Sequence, residues 1–328
     1  SVARVVAQER DRWAIQTASG PGTARIPSAS RLDPWPVVGD WVMVEPGPMP
    51  ADPWSIRVVL PRRSCFSRGA PLTGLTEQAL AANVDRVWIV HGLDLPPNMR
   101  RMERYLALAW ESGALPEIVL TKSDLAQPLE SAIAAVQQVA IGVPIRVVSA
   151  HDPERVARLR ETLLPGKTVA LLGPSGAGKS TLINLLAGSG IARTGEVREA
   201  DRKGRHTTTR RDLFQIPGGA LLLDTPGLRE LRVWDLDQGL DQAFPEIGQL
   251  AAECRFGDCR HQSEPGCAVL AAVEAGKLDV ARLESYRKLQ AEAEWQARKS
   301  DPLARAAHVA EHKAALKSLK QHHPKYHS

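Results

Sequence analysis

The chain has 328 residues, of which 43% are hydrophobic and 24% charged, and its formal net charge at pH 7 is +5. This is enough chain for two or three globular domains, and no apolar run approaches the roughly 18 residues that a membrane-spanning helix needs. The first residues also lack an apolar stretch of signal-peptide length, so we expect a cytoplasmic protein without a membrane partner, whose charge permits but does not require RNA.

The N-terminal part of the chain has the texture of a small β domain. Residues 1 to about 62 contain short alternating or β-rich runs, namely ARVVAQ, RWAIQTA, ARIP, DWVMVEP and SIRVVLP, separated by clusters of Gly, Pro, Asp and Ser. This spacing predicts an all-β barrel or sandwich, which we place at residues 1–64. The polar segment 64–77, which contains Gly and Pro, is typical of a linker.

From Val84 onward, apolar runs alternate with stretches of helical length. The runs are DRVWIV, EIVLT, IRVVSA, TVALLG and ALLLD, and the helical stretches are 99–112, 128–141 and 179–186. Buried parallel strands alternating with helices predict a doubly wound α/β domain, which we place at residues 72–230. Residues 231–328 are predicted to be helical, interrupted by a Cys/His cluster and ending in a basic tail.

A phosphate-binding loop is the strongest motif in the chain. The string GPSGAGKST follows the strand-like run TVALL and precedes a helical run. Backbone N–H groups in such a loop approach phosphates closely, and the helix N-terminus favours negative charge. Lys179 is expected to contact the β- and γ-phosphates as a catalytic residue, and the Ser180 hydroxyl to bind Mg²⁺. The predicted nucleotide-binding residues here are Gly173, Pro174, Ser175, Gly176, Ala177, Gly178, Lys179, Ser180 and Thr181.

Two later segments predict contacts with Mg²⁺ and the γ-phosphate. In ALLLDTPG, Asp224 ends a buried strand, where a carboxylate can hold Mg²⁺ through water, and Gly227 can offer its backbone N–H to the γ-phosphate. The polar stretch GRHTTTRRD lies between this segment and the phosphate loop. Its hydroxyls can complete the Mg²⁺ shell, with Thr208 and Thr209 as the predicted ligands.

The run EIVLTKSD predicts that the base is guanine. Asp124 follows a buried strand and can accept hydrogen bonds from both N1–H and N2–H₂ of guanine, which adenine cannot donate. Lys122 can pack along the base and brace the phosphate loop, and Thr121 stands where GTPases usually have Asn. The segment RVVSA resembles the GTPase segment that meets guanine O6. The predicted guanine-binding residues are Thr121, Lys122, Ser123, Asp124, Ser149 and Ala150.

These motifs occur in a circularly permuted order, because the guanine segments precede the phosphate loop. A parallel sheet allows this, since ligands collect at the carboxyl ends of strands whatever the connection order. The chain after Gly227 is then tethered to a nucleotide-sensing loop, so we expect nucleotide state to move the C-terminal domain. Leu228 stands where many GTPases have the Gln that orients water, which predicts slow intrinsic hydrolysis. His206 is a candidate catalytic group in its place.

Three cysteines and a histidine near the C-terminus have the spacing of a metal site. They are Cys254, Cys259, His261 and Cys267, in the pattern Cys-x₄-Cys-x-His-x₅-Cys. Three thiolates and one imidazole suit tetrahedral Zn²⁺ and leave no open coordination position. We expect one structural zinc ion per chain.

Taken together, the permuted motifs, QALAANVD at residues 78–85, GRHTTT, DTPG and the Cys/His pattern resemble the RsgA (YjeQ) family. The resemblance implies an OB-fold RNA-binding barrel, a permuted GTPase centre that hydrolyses an acid anhydride, and a zinc-binding helical domain. It further implies late maturation of the small (30S) ribosomal subunit, contacts with its rRNA, and hydrolysis stimulated by the subunit. We expect a monomer that binds GTP and GDP.

Two other functions fit parts of the sequence. A phosphate loop alone also serves ATPases and small-molecule kinases, although TKSD then has no role and no LSGGQ-like signature is present. A nucleic-acid-binding module that is only regulated by nucleotide is the second alternative.

Overall fold

A computed structural model describes residues 1–9, 11–27, 31–49, 52–69, 77–126, 128–188, 212–224 and 237–300. Along the chain, a β-barrel is followed by a central sheet with its helices and then by a group of C-terminal helices. Across these ranges, no helix combines the length and the apolar character that crossing a membrane requires.

The N-terminal strands form a closed five-stranded barrel. They are β1 (Val2–Glu9), β2 (Arg12–Thr17), β3 (Gly20–Arg25), β4 (Trp41–Glu45) and β5 (Trp54–Val59). The strand order is β1-β2-β3-β5-β4, and pairing of β4 with β1 closes the barrel in the OB-fold arrangement. Alternate side chains, among them Val5, Ile15 and Ile56, fill the interior around Trp13. The predicted barrel is confirmed.

A β-hairpin follows where the sequence predicted a linker. Strands β6 (Cys65–Gly69) and β7 (Glu77–Ala82) pair antiparallel, so the linker prediction is wrong for residues 65–69 and for Glu77. The strand pattern was not recognised because most residues around it are polar. Phe66 and Leu80 nevertheless lie buried in the core of the central domain. A bridge between Val38 and Ala81 connects this hairpin to the barrel.

The central sheet contains the five predicted apolar runs as parallel strands. These are β8 (Arg86–Gly92), β9 (Leu115–Thr121), β10 (Ile145–Val147), β11 (Thr168–Leu172) and β13 (Leu221–Asp224), with β12 (Asp212–Gln215) antiparallel to β13. The order is β10-β9-β8-β11-β13-β12. The short strand β12 was not predicted, and its pairing with β1 joins the central sheet to the barrel.

Helices cover both faces of the central sheet. They are α1 (Met99–Glu111), α2 (Leu129–Val139), α3 (Pro153–Glu161) and α4 (Lys179–Ala187), and of these α3 was not predicted. Strand β8 shows the two layers directly, because Val87 and Ile89 belong to one core while Trp88 and Val90 belong to the other. A doubly wound domain is therefore confirmed.

The C-terminal residues described are helical, as predicted. The helices are α5 (Asp237–Ala243), α6 (Pro245–Ala251), α7 (Ala268–Glu274) and α8 (Val280–Ser300), whereas the basic tail at 301–328 lies outside the described residues. Arg282 of α8 contacts both Glu103 of α1, at 2.7 Å, and Glu246 of α6, at 2.6 Å. The C-terminal helices are therefore anchored to α1 of the central domain by a buried ion-pair network.

Candidate functional site

The predicted nucleotide motifs converge at one edge of the central sheet. Strands β8, β9, β10 and β11 are consecutive parallel neighbours, so their carboxyl ends lie together. The TKSD segment begins at Thr121, the last residue of β9, while the Ser-Ala segment follows β10 and the phosphate loop follows β11. A permuted connection order thus produces one contiguous site, as expected for ligands at the carboxyl ends of a parallel sheet.

The phosphate loop is shaped by close backbone packing. Gly173 has a φ of 151°, and a Cβ added there would lie 2.2 Å from the carbonyl oxygen of Val90, so only glycine fits. Helix α4 begins at Lys179, directly after Gly178, which has no side chain to cap the first N–H groups. Those groups are thus available to an anion at the helix N-terminus.

Lys179 is positioned within this loop. Its side chain is buried, and Nζ donates hydrogen bonds to the carbonyl oxygens of Gly173, at 2.8 Å, and Pro174, at 2.6 Å. A buried ammonium group next to the N-terminus of α4 concentrates positive charge where the motif predicts phosphates. Ser180, the predicted Mg²⁺ ligand, is the second residue of the same helix.

Thr121 connects the guanine segment to the phosphate loop. Its hydroxyl donates to the carbonyl oxygen of Ala177, at 2.6 Å, and lies 3.3 Å from that of His91. The side chain is buried, so this bond is sheltered from water. The shorter Thr therefore makes a direct bond to the loop at the position where GTPases usually have Asn.

Lys122 forms an ion pair that the sequence did not predict. Its backbone is left-handed, with φ 55° and ψ 38°, and Nζ lies 2.7 Å from Oδ2 of Asp94 rather than on the phosphate loop. This hydrogen bond lowers the pKa of Asp94 below its ordinary value. A left-handed conformation is costly for a residue with a Cβ, so the surrounding contacts must hold it in place.

Asp124 and Ser149 meet across the two guanine segments. The Ser149 hydroxyl donates a hydrogen bond to Oδ1 of Asp124, and it accepts one from the backbone N–H of His151 at 3.1 Å. The bond from Ser149 lowers the pKa of Asp124, so the carboxylate is ionised at neutral pH. An ionised carboxylate is the acceptor that the N1–H and N2–H₂ donors of guanine require.

A cavity of about 290 Å³ lies between these segments and α4, near the lower end of the range for small-ligand sites. The predicted residues Thr121, Lys122, Asp124 and Ala150 line one side of this cavity. The predicted phosphate-loop residues Gly178 and Thr181 also line it. Sequence reasoning missed the remaining lining residues, which are Leu125, Val148, His151, Leu182 and Leu185. The three-residue spacing of the two leucines on α4 was the available signal.

The γ-phosphate side of the site is described only in part. Asp224 ends β13, the parallel neighbour of β11, which places its backbone at the same sheet edge. The other predictions for this side, Thr208, Thr209, Gly227, Leu228 and the candidate catalytic His206, lie outside the described residues.

The four predicted metal ligands form one cluster. All ligand atoms of Cys254, Cys259, His261 and Cys267 lie within 4.8 Å of one another. Around a tetrahedral zinc ion, two sulfurs are expected about 3.8 Å apart, and a sulfur and an imidazole nitrogen about 3.6 Å apart. The observed separations are 3.9 Å between Sγ of Cys254 and Sγ of Cys267, and 3.6 and 3.4 Å from these sulfurs to Nδ1 of His261. The cluster therefore fits a tetrahedral metal ion such as zinc.

The loop around this cluster is held by hydrogen bonds from backbone N–H groups to side chains. Glu264 accepts from the N–H groups of Arg260, Gln262 and Ser263, and its own N–H together with these donors lowers its pKa to about 2. Cys267 is the N-cap of α7, and its Sγ accepts a hydrogen bond from the backbone N–H of Leu270 at 3.4 Å. The ligands are thus presented by a preorganised turn, which favours a structural metal site.

Comparison with known proteins supports the same interpretation. The RsgA GTPase family profile matches residues 59–234. "Small ribosomal subunit biogenesis GTPase RsgA" from Opitutus terrae is 51% identical over 280 residues, which cover 83% of this chain and 76% of that protein. "Small ribosomal subunit biogenesis GTPase RsgA 2" from Lactiplantibacillus plantarum is 43% identical over 326 residues, covering 97% and 91%.

Solved structures share the fold. YjeQ from Thermotoga maritima has a TM-score of 0.66 and 26% sequence identity, covering 88% of this chain and 96% of that one. YloQ, described as a circularly permuted GTPase, has a TM-score of 0.62 at 22% identity and covers 89% and 94%. The family profile spans more than half of the chain, and the relatives cover most of it at more than 40% identity. The chain therefore belongs to the RsgA GTPase family.

Proposed function

We propose that this GTPase acts in late maturation of the small ribosomal subunit, where it binds rRNA and is stimulated by the subunit. This proposal is supported by the similar proteins, which are named small ribosomal subunit biogenesis GTPases. The observation that carries the nucleotide assignment is the cavity that brings Asp124 of the guanine segment next to α4 of the phosphate loop. A barrel of OB-fold order gives the protein a surface type that commonly binds nucleic acid.

In this proposal the guanine base occupies the 290 Å³ cavity. Asp124 accepts its two N–H donors, Lys122 lies along the ring, and the backbone of the Ser149–Ala150 segment meets O6. The N–H groups of the phosphate loop and Lys179 hold the phosphates. Discrimination against adenine follows because its pairing edge leaves the Asp124 carboxylate without matching donors.

The proposed Mg²⁺ ligands are Ser180, Asp224, Thr208 and Thr209. Gly227 donates its backbone N–H to the γ-phosphate in this proposal. When bound, the ion neutralises charge on the phosphates. Hydrolysis without a partner is expected to be slow because Leu228 cannot orient water, and His206 is the proposed group that does so.

The proposed domain limits are 1–64, 72–230 and 231–328. Strand β6 lies between the first two domains and contributes Phe66 to the core of the second. The Cys/His cluster is proposed to hold one structural zinc ion. The basic C-terminal residues contact rRNA through its phosphates. The protein is expected to act as a cytoplasmic monomer.

The proposal is tested by multiple-turnover GTP hydrolysis with and without purified 30S subunits, with 50S subunits and ATP as controls. We expect hydrolysis to be specific for GTP and to rise with 30S subunits alone. Absence of stimulation, with GDP binding intact, contradicts the ribosomal role. Equal or faster ATP hydrolysis instead favours an ATP-dependent enzyme.

A further inference from the structure

The turn between β8 and α1 is fastened to the end of β9. The backbone N–H of Leu93 donates to the carbonyl oxygen of Thr121 at 2.9 Å. From the end of β8, Nε2 of His91 lies 3.3 Å from the carbonyl oxygen of Leu95 in the turn. Two contacts thus fix the backbone on either side of Asp94 next to the guanine segment.

Asp94 and Lys122 share the space above Gly92. A Cβ added to Gly92 would lie 2.6 Å from Oδ1 of Asp94 and 3.4 Å from Cδ and Cε of Lys122. The other carboxylate oxygen of Asp94, Oδ2, lies 2.7 Å from Nζ of Lys122. Glycine at position 92 therefore lets the carboxylate and the lysine stem pack side by side.

Lys122 also lines the cavity. A lysine side chain has several rotatable bonds, and ordering them during binding reduces affinity. A partner that holds the ammonium in advance removes part of this cost. The carboxylate of Asp94 is in position to do so, while both side chains stay about one-third exposed.

We propose that Asp94 is a positioning residue for base recognition, which holds Lys122 against the purine ring. This inference deepens the proposed function and rests on it. Asp94 acts through Lys122 on the face of the ring, whereas Asp124 reads the N–H groups at its edge. Loss of Asp94 should thus weaken guanine and hypoxanthine nucleotides equally, because they differ only in the N2 amino group.

The test compares Asp94→Asn, Asp94→Glu and the native protein in the full-length chain. Kd is measured by competition for GDP, IDP and inorganic pyrophosphate, and KM and kcat are measured for GTP. Glu45→Gln is the matched control, since Glu45 forms an exposed ion pair with Arg57 at 2.8 Å in the barrel. For Asp94→Asn we expect about a two- to fivefold rise in Kd for both GDP and IDP, as for other partly exposed ion pairs.

We expect KM for GTP to rise in parallel in Asp94→Asn, whereas kcat and the affinity for pyrophosphate should be retained. In Asp94→Glu the affinity for GDP and IDP should partly recover. Unchanged GDP affinity in Asp94→Asn overturns the inference, as does an equal loss of pyrophosphate affinity, which indicates general damage to the site. If the native protein binds no GDP, the proposed function fails instead. The two failures are therefore distinguishable.

Discussion

Replacing Thr121 by Val tests whether the guanine segment supports the phosphate loop through one hydroxyl. Valine has nearly the same shape, so the substitution removes the donor 2.6 Å from the Ala177 carbonyl without leaving a large cavity. Thr121→Ser is the matched control, because it keeps the hydroxyl and removes only the methyl group.

The size of the effect follows from burial. Both Thr121 and Ala177 are buried, at 6% and 3% exposure, so water cannot readily replace the lost hydrogen bond. Leaving a buried polar group unsatisfied costs about 1–3 kcal/mol. If this cost falls on the nucleotide-bound state, the Kd for GDP rises about 5- to 150-fold, since 1.4 kcal/mol corresponds to a factor of ten.

Fluorescence titration with a labelled GDP measures this change, and thermal unfolding shows whether part of the cost falls on the free protein. We expect Thr121→Val to weaken GDP binding at least fivefold and Thr121→Ser to stay close to the native value. A Kd for Thr121→Val within twofold of the native protein, at unchanged stability, would falsify the support role of the hydroxyl.

Four further predictions concern the buried network, base recognition, its pH dependence and the metal. Arg282→Met leaves the buried Glu103 without its cation and should destabilise the protein by about 3–5 kcal/mol. Arg100→Met is the matched control, because its ion pair with Glu284 is about half exposed and should contribute less than about 1 kcal/mol. Denaturant unfolding compares the two variants, and equal losses contradict the argument. Asp124→Asn should exchange guanine for xanthine preference in nucleotide competition. In the native protein the pKa of Asp124 is lowered, so the carboxylate stays charged and the preference for GDP over ADP should be retained as the pH falls from about 8 to about 5. The ratio of the two affinities is the measurement, because the terminal phosphate titrates at about pH 6 in both nucleotides. Cys259→Ser or a chelator should release zinc and lower the resistance of the α6–α7 region to proteases, whereas GDP affinity should be retained. Unchanged protease resistance after metal loss argues against a structural site.

The central domain was predictable because its signals are local. Each parallel strand is buried on both faces and so is a continuous apolar run, and each functional loop directly follows such a run, as GPSGAGKST follows TVALL. The chemistry of a phosphate loop or a thiolate cluster also depends on residue type and short spacing. The sequence alone therefore predicts the phosphate loop, the guanine segments and the metal ligands.

Elements with weak local signals depended on the tertiary fold. Strand β6 carries polar residues and β12 has only four residues, so both owe their conformation to pairing with other strands. Helix α3 has only a short amphipathic pattern and begins at the Asp152 cap. In such segments long-range pairing and burial outweigh intrinsic propensity.

Local pattern leaves undetermined the contacts that hold the site and the C-terminal helices in place. The Asp94–Lys122 pair, the Thr121–Ala177 bond and the Arg282–Glu103 pair join residues 28, 56 and 179 positions apart. No spacing rule connects side chains at such separations, because their distance depends on how strands and helices pack. The motifs specified which nucleotide chemistry this chain can perform, whereas the packed structure selected which neighbours hold each motif in place.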